Sequence, residues 1–248
     1  MRWYFGTSHL ERLRPSGSYA SMAGAICSLD DYSEQLDVEQ MAVLGEARDG
    51  RRVAFSSGRY CALLAQEQLN LAPSIIGQNA RAPLWPDNLS GSISHSKQLA
   101  VSIVSKEPCG VGVDIETLGR ISDKLLPTLF TSRELIQLEN APDYATTLAF
   151  SAKEAGYKAI APWVGEYIGF QEAEIIPDYA AGTFRIHYLG KASPGGEACL
   201  ESKSGPSNHA LDSGLGYFSQ DGNHVLTMFV IPIQAIGADA SSSVRKKD

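Results

Sequence analysis

At 248 residues, 44% hydrophobic and 20% charged, the chain is long enough to bury one large core or two small ones. Its 28 Asp plus Glu against 21 Lys plus Arg leave a formal net charge of -7, which argues against a nucleic-acid binder and requires a local basic patch for any anionic ligand. Cys27, Cys61, Cys109 and Cys199 lie far apart with no C-x-x-C pair, which disfavours a disulfide framework or zinc knuckle. No run of about 18 apolar residues occurs, so no membrane span is expected. The opening MRWYFGTSHLERLRP is broken by Arg2, His9, Glu11, Arg12 and Arg14 and does not read as a secretory signal, so a cytoplasmic location is expected.

Taken in chain order, residues 46–70 carry Phe55, Ala62, Leu63 and Leu69 at three- and four-residue spacing and predict a helix, despite Gly58. Residues 71–91, dense in Pro, Gly and Asn, predict loop with at most short strands. From Ser92 the period becomes two: SISH, a polar break, then LAVSIVS, where Leu99, Val101 and Ile103 alternate with Ala100, Ser102 and Val104. This predicts a hairpin. With a turn at KEPCG and a third strand at VGVDIE, residues 92–116 read as an antiparallel meander. Residues 121–140 and 143–164 are helical in pattern, the first interrupted at Pro127 and the second stopped at Pro162. Strands are expected within 166–190 and 223–233, a surface loop over 190–214, and a disordered tail. The fold class this implies is α+β in two halves, residues 1–109 and 110–237, followed by the tail 238–248.

Three constellations carry chemistry. On the strand GVGVDIE, Val111, Val113 and Ile115 face one way and Gly112, Asp114 and Glu116 the other, which sets two carboxylates about 7 Å apart beside a glycine. Like charges so close repel unless a cation sits between them, and Mg²⁺ takes one or two carboxylates with water and phosphate oxygens. The plain alternative is a solvent-facing edge strand. In FSAKEAGYKA, residues 150–159, Glu154 and Lys158 share a helix face with Ser151 one turn earlier, and the alternative is a surface ion pair of a few tenths of a kcal/mol. Arg48, Arg52 and Arg59 fall on one helical stripe suited to phosphate, although Phe55 lies nearly on the same side. Arg81 is a further basic candidate, and His95 closes the first strand after Ser94. No zinc-type histidine spacing, Walker A loop, dinucleotide turn or nucleophile elbow occurs.

In this order and spacing SISHS (92–96), GVGVDIE (110–116) and FSAKEAGYKA (150–159) resemble the three signature blocks of the 4'-phosphopantetheinyl transferases. The resemblance is to the larger single-chain type, and RRVAFSSGRYCA (51–62) and APLWPDNLSGSISH (82–95) extend it toward the enterobactin synthetase component D branch. It implies two similar α/β-sandwich halves about a pseudo-twofold axis with coenzyme A in the cleft between them. It further implies transfer of the phosphopantetheine arm to a serine of an acyl or peptidyl carrier protein, releasing adenosine 3',5'-bisphosphate. By motif position, Asp114, Glu116 and Glu154 would hold Mg²⁺, Lys158 would meet the reacting phosphate, and Ser94 and His95 the 3'-phosphate. Arg52, Arg59 and Arg81 would bind the remaining phosphate charge, and Glu154 is the candidate base. Phe150 replaces a common Trp and Ala155 a common Ser, both beside the ligand positions. A non-catalytic coenzyme A or nucleotide-binding module is the alternative, and a Mg²⁺-dependent phosphohydrolase ranks last. A monomer is expected, with no nucleic-acid or membrane partner.

Overall fold

Every residue of the strand Leu99–Ser105 is buried, polar and apolar alike, as in the middle strand of a covered sheet. The computed structural model describes residues 21–79, 82–164, 168–190 and 208–236. The chain divides into two compact units, Met1–Pro108 with Val113–Ile115, and Cys109–Gly112 with Glu116–Asp248.

In the first unit, β1 (Met22–Ser28), a short helix α1 (Val38–Ala42) and the long helix α2 (Asp49–Gln68) precede four strands. A small hairpin pairs β2 (Gly77–Asn79) with β3 (Ala82–Leu84). The main antiparallel sheet has the order β1-β5-β4, where β4 is Ser90–His95 and β5 is Leu99–Ser105. The hairpin expected at 92–105 is present, with His95 opposite Ala100 and Ser90 opposite Ser105. Helix α2 lies on β1 and β5, with the small residues Cys61, Ala62 and Ala65 buried along it. Gly58 has a packing reason to be in a helix: an added Cβ would lie 2.6 Å from Ile93 Cγ2 on β4.

The second unit is built on a five-stranded sheet of order β6-β10-β9-β8-β7. Its strands are β6 (Cys109–Thr117), β7 (Ala173–Asp178), β8 (Thr183–Tyr188), β9 (Leu215–Asp221) and β10 (His224–Pro232). Before β7 come α3 (Leu126–Leu129), α4 (Ser132–Leu138) and the long α5 (Ala145–Val164), and α6 (Ile233–Ile236) follows β10. Helix α5 packs on β10, with Leu148, Ala152, Ala155, Ala159 and Ile160 buried. Phe130, Phe184 and Phe229 are each under 2% exposed in this core, worth roughly 1.5–3 kcal/mol apiece relative to exposure. No helix among the described residues is long and apolar enough to cross a membrane.

Several expectations need correction. The meander closes after two strands, because β5 has only two edges and β1 takes the one left by β4; β6 joins the other sheet beside β10. Strand β1 was not expected, since MAGAICS is mostly small residues of low strand preference. Strand β9 was missed because Gly216 and Ser219 dilute its alternation. Pro127 does not interrupt a helix; it sits in the first turn of α3, where its missing N–H costs nothing, and the break falls at the extended residues Phe130 and Thr131. Pro162 lies inside the last turn of α5, which runs on to Val164. The tail 238–248 and most of the loop 190–214 lie outside the described residues.

Candidate functional site

The alternation of β6 buries Val111, Val113 and Ile115, as a core-facing set should be. Asp114, on the other face, is buried too, at 4% exposure, so it is no solvent-facing edge residue. A buried carboxylate is costly unless it is hydrogen-bonded. Ser94 supplies such a bond, its Oγ donating to Asp114 Oδ1 at 2.8 Å. One residue earlier on β6 and two earlier on β4, the backbone N–H of Val113 donates to Ser92 Oγ at 3.0 Å. The serines of SISHS thus stitch β4 to the middle of β6. His95 stands exposed at the end of β4, its Nδ1 3.3 Å from the Ser96 carbonyl oxygen. Glu116 accepts a hydrogen bond from Arg120 Nη1 at 3.0 Å, a cation the motif reading did not single out.

On α5, Glu154 and Lys158 are both half-buried. Ser151, one turn earlier, is fully buried against β10, its hydroxyl 2.8 Å from Thr227 Oγ1. The glycines of GVGVDIE explain how the helix sits on β6: a Cβ on Gly112 would lie 1.8 Å from the Ala155 carbonyl oxygen, and one on Gly110 2.7 Å from that of Ala159. Beside Glu154 is a hollow of about 120 Å³ lined mainly by apolar groups, among them Tyr157, Ile168, Phe170 and Ile186.

Sequence reasoning passed over Lys153. Its Nζ donates to Glu134 Oε2 at 2.7 Å, to the Leu129 carbonyl at 3.0 Å and to the Phe170 carbonyl at 2.6 Å. Burial pushes its pKa below the usual lysine value, and Glu134 partly restores it. A signal was available: Lys153 lies four residues after Ala149, three before Gly156 and seven before Ile160, all on the buried side of the helix.

The arginine stripe divides. Arg48 is the N-cap residue, just outside α2. Arg52 is exposed, its Nε 3.2 Å from Asp31 Oδ2 and donating to Ser33 Oγ at 3.1 Å. The Asp31 carboxyl is held below its ordinary value, first by the Ser33 hydroxyl and amide and less by Arg52. Arg59 is only 6% exposed, donates from Nη2 to the Gly77 carbonyl at 2.9 Å and stacks over Phe55. Its Nε is buried with no hydrogen-bond partner among the described residues, and burial lowers its pKa to about 10, which leaves it protonated at neutral pH. Arg81 lies outside the described residues.

Among the described residues, no three His, Cys, Asp or Glu side chains are grouped so as to hold a metal ion. Magnesium asks for less, since water and substrate phosphates complete its six oxygens. Asp114 and Glu116 suit it chemically, as hard carboxylate oxygen donors.

Residues 39–105 match the family described as the 4'-phosphopantetheinyl transferase N-terminal domain, and residues 110–211 match the 4'-phosphopantetheinyl transferase superfamily. The chain belongs to the 4'-phosphopantetheinyl transferases, enzymes that transfer phosphopantetheine from coenzyme A to carrier proteins. It is 30% identical over 207 residues to 4'-phosphopantetheinyl transferase Npt of Nocardia iowensis, which covers 77% of this chain and 90% of the relative. To 4'-phosphopantetheinyl transferase Svp of Streptomyces mobaraensis it is 33% identical over 168 residues, 64% of this chain and 68% of the relative. To enterobactin synthase component D of Salmonella typhi it is 39% identical over 131 residues, 50% of this chain and 54% of the relative.

Proposed function

We propose that this enzyme moves the phosphopantetheine arm of coenzyme A onto a carrier serine in a Mg²⁺-dependent reaction that releases adenosine 3',5'-bisphosphate. The observation that carries the metal assignment is Asp114: a carboxylate on the GVGVDIE strand, 4% exposed and fixed by the Ser94 hydroxyl at 2.8 Å. Such pre-orientation serves a ligand that must not move during reaction. Asp114, Glu116 and Glu154 would hold the ion, which when bound would neutralise charge building on the phosphate oxygens.

The remaining steps belong to the chain's own residues. The carrier's serine oxygen forms a bond to the phosphorus that carries the pantetheine arm. The bond from that phosphorus to the leaving adenosine bisphosphate breaks, and the electron pair goes to the leaving phosphate. Glu154 takes the serine proton, directly or through one water. Lys158, one turn further along α5, would meet the developing charge and stabilise the transition state more than the ground state. Ser94 and His95 would contact the 3'-phosphate, and Arg52, Arg59 and Arg81 the remaining phosphate charge. The apolar hollow beside Glu154 suits the uncharged arm. The family's duplicated architecture finds support in each unit taken alone, because each lays one 20-residue helix on an antiparallel sheet. The name of the Salmonella relative, enterobactin synthase component D, points to a siderophore pathway, and nonribosomal peptide, polyketide and fatty acid carriers are the wider range that the family resemblance implies.

The test is to incubate the protein with coenzyme A, Mg²⁺ and apo carrier domains and to weigh the carriers. Gain of one phosphopantetheine mass is expected, and loss of that gain when a chelator removes the metal. Asp114→Ala is expected to lower turnover by about 100-fold or more with an unchanged circular dichroism spectrum. A folded Asp114→Ala enzyme with wild-type turnover would remove the metal assignment, and no mass gain on any carrier would remove the reaction.

A further inference from the structure

Lys153 and Glu154 are neighbours in the sequence with opposite environments: the Lys153 side chain is 4% exposed, and Glu154 is half-buried at the hollow. An ammonium group has three N–H donors, and those of Lys153 meet three acceptors at 2.6–3.0 Å. None is left for a phosphate. The acceptors come from three segments: the end of α3 at Leu129, Glu134 in α4, and Phe170 in the 3₁₀ turn before β7.

Glu134 is used as fully. Its Oε2 also accepts the Thr131 N–H at 2.9 Å, closing the capping box of α4, and its Oε1 accepts the Ile175 N–H of β7 at 2.9 Å. Thr131 in turn donates from Oγ1 to Glu174 Oε1 at 2.8 Å. A buried ion pair of this kind contributes little net stability over a well-packed apolar pair, so its value lies in the geometry it imposes. That geometry concerns the hollow. Phe170, held through its carbonyl by Lys153 and through its ring by Phe150 at 5.6 Å, forms the wall facing Glu154 together with Ile168 and Gly169.

We infer that Lys153 and Glu134 form a clamp that sets the Ile168–Phe170 wall against Glu154, so that Lys153 is a positioning residue for the transfer and not a phosphate ligand. The inference rests on the proposed role of Glu154. The clamp fixes two things together: the rotation of α5, which aims Glu154 and Lys158, and the width of the space in which the arm would lie. A displacement of about 1 Å at a reacting centre costs on the order of 100-fold in rate, so loosening the clamp acts on turnover.

The experiment uses the full chain and the double variant Lys153→Met/Glu134→Gln, which removes both charges so that neither is buried alone. Circular dichroism and thermal melting establish that it is folded at 25 °C. Steady-state transfer to an apo carrier then gives kcat, and calorimetry with adenosine 3',5'-bisphosphate reports the nucleotide end of the site, whose proposed contacts among the described residues, Ser94, His95, Arg52 and Arg59, bond to neither Lys153 nor Glu134. A fall in kcat of about tenfold or more with nucleotide affinity kept within about twofold is expected. Lys153→Arg preserves the charge and the pair with Glu134, but its planar fork does not match the three converging acceptors; it is expected to fold and to lose about threefold or more in kcat. It decides the matter should the double variant not fold. Wild-type kcat in a folded variant, or a loss of kcat matched by an equal loss of nucleotide affinity, overturns the clamp. A wild-type enzyme inactive on every carrier overturns instead the reaction on which the clamp rests.

Discussion

Arg52 and Arg59 lie seven residues apart on α2 and would be treated alike by any helical-wheel argument, yet their surroundings differ in kind. Arg52 keeps about half of its side chain in solvent and pairs with an equally open Asp31. Pairs of this sort contribute about 1 kcal/mol or less, so Arg52→Ala should shift the urea midpoint only slightly. Arg59 is 6% exposed; Arg59→Ala would leave a cavity under Phe55 and strip the Gly77 carbonyl of its donor. Roughly 2–4 kcal/mol of lost stability is expected, read from the same urea titration. Equal costs for the two variants would show that burial does not separate them. The sequence could not make this distinction, because which arginine is covered depends on the β2 strand folding back over α2, a contact 18 residues distant along the chain. Asp114 and Ser94 were both named from their motifs, but the bond between them needed the fold.

At the scale of elements, α2, α5, β4, β5, β6 and β10 were legible from their patterns, and β7 and β8 fall within 166–190, where strands were expected. What was not legible was partner choice, as with the sheet that β6 joins, and strands of small residues, as with β1. The glycines carry the information the period lacks. In GVGVDIE, Gly112 marks where α5 lies against the strand, for its missing Cβ would meet backbone, the Ala155 carbonyl oxygen at 1.8 Å. Gly112→Ala therefore requires the helix carrying Glu154 and Lys158 to move, and a cost of about 3 kcal/mol or more is expected together with loss of transfer. Gly58→Ala meets a side chain rather than backbone, the branch methyl Cγ2 of Ile93 at 2.6 Å. There the gain in helix propensity of about 1 kcal/mol offsets part of an overpacking cost of about 1–3 kcal/mol, so the net loss should be below about 2 kcal/mol. Combining Gly58→Ala with Ile93→Ala should relieve the clash, seen as a favourable coupling in a double-mutant cycle by urea denaturation. A Gly112→Ala protein as stable as the wild type would mean that α5 is not seated on β6 through that carbonyl.

For the molecule as a whole, the three motif blocks carried the function, because they hold charged and glycine residues whose spacing is set by chemistry rather than by burial. The arrangement within each unit was less legible: sheet order is decided by which edges are already taken, and a local pattern does not record that. A measurement on the intact protein tests the functional reading without a carrier. A ligand that binds only the folded state stabilises it by RT ln(1 + [L]/Kd), about 2.7 kcal/mol at 100 times Kd. For a chain of this length each kcal/mol raises Tm by about 2–4 °C, so coenzyme A at that excess with Mg²⁺ should raise Tm by roughly 5–11 °C. A chelator should reduce the shift, because the carboxylates of Asp114 and Glu116 would then face the diphosphate with no cation between like charges. Asp114→Ala removes one of those charges and one proposed ligand together, so its shift should be small and insensitive to the chelator. Should coenzyme A leave Tm unchanged at millimolar concentration, the substrate assignment fails. Should the shift be large yet the same with and without the metal in the wild-type protein, coenzyme A binds but the magnesium assignment fails, and the acidic pair on β6 needs another role.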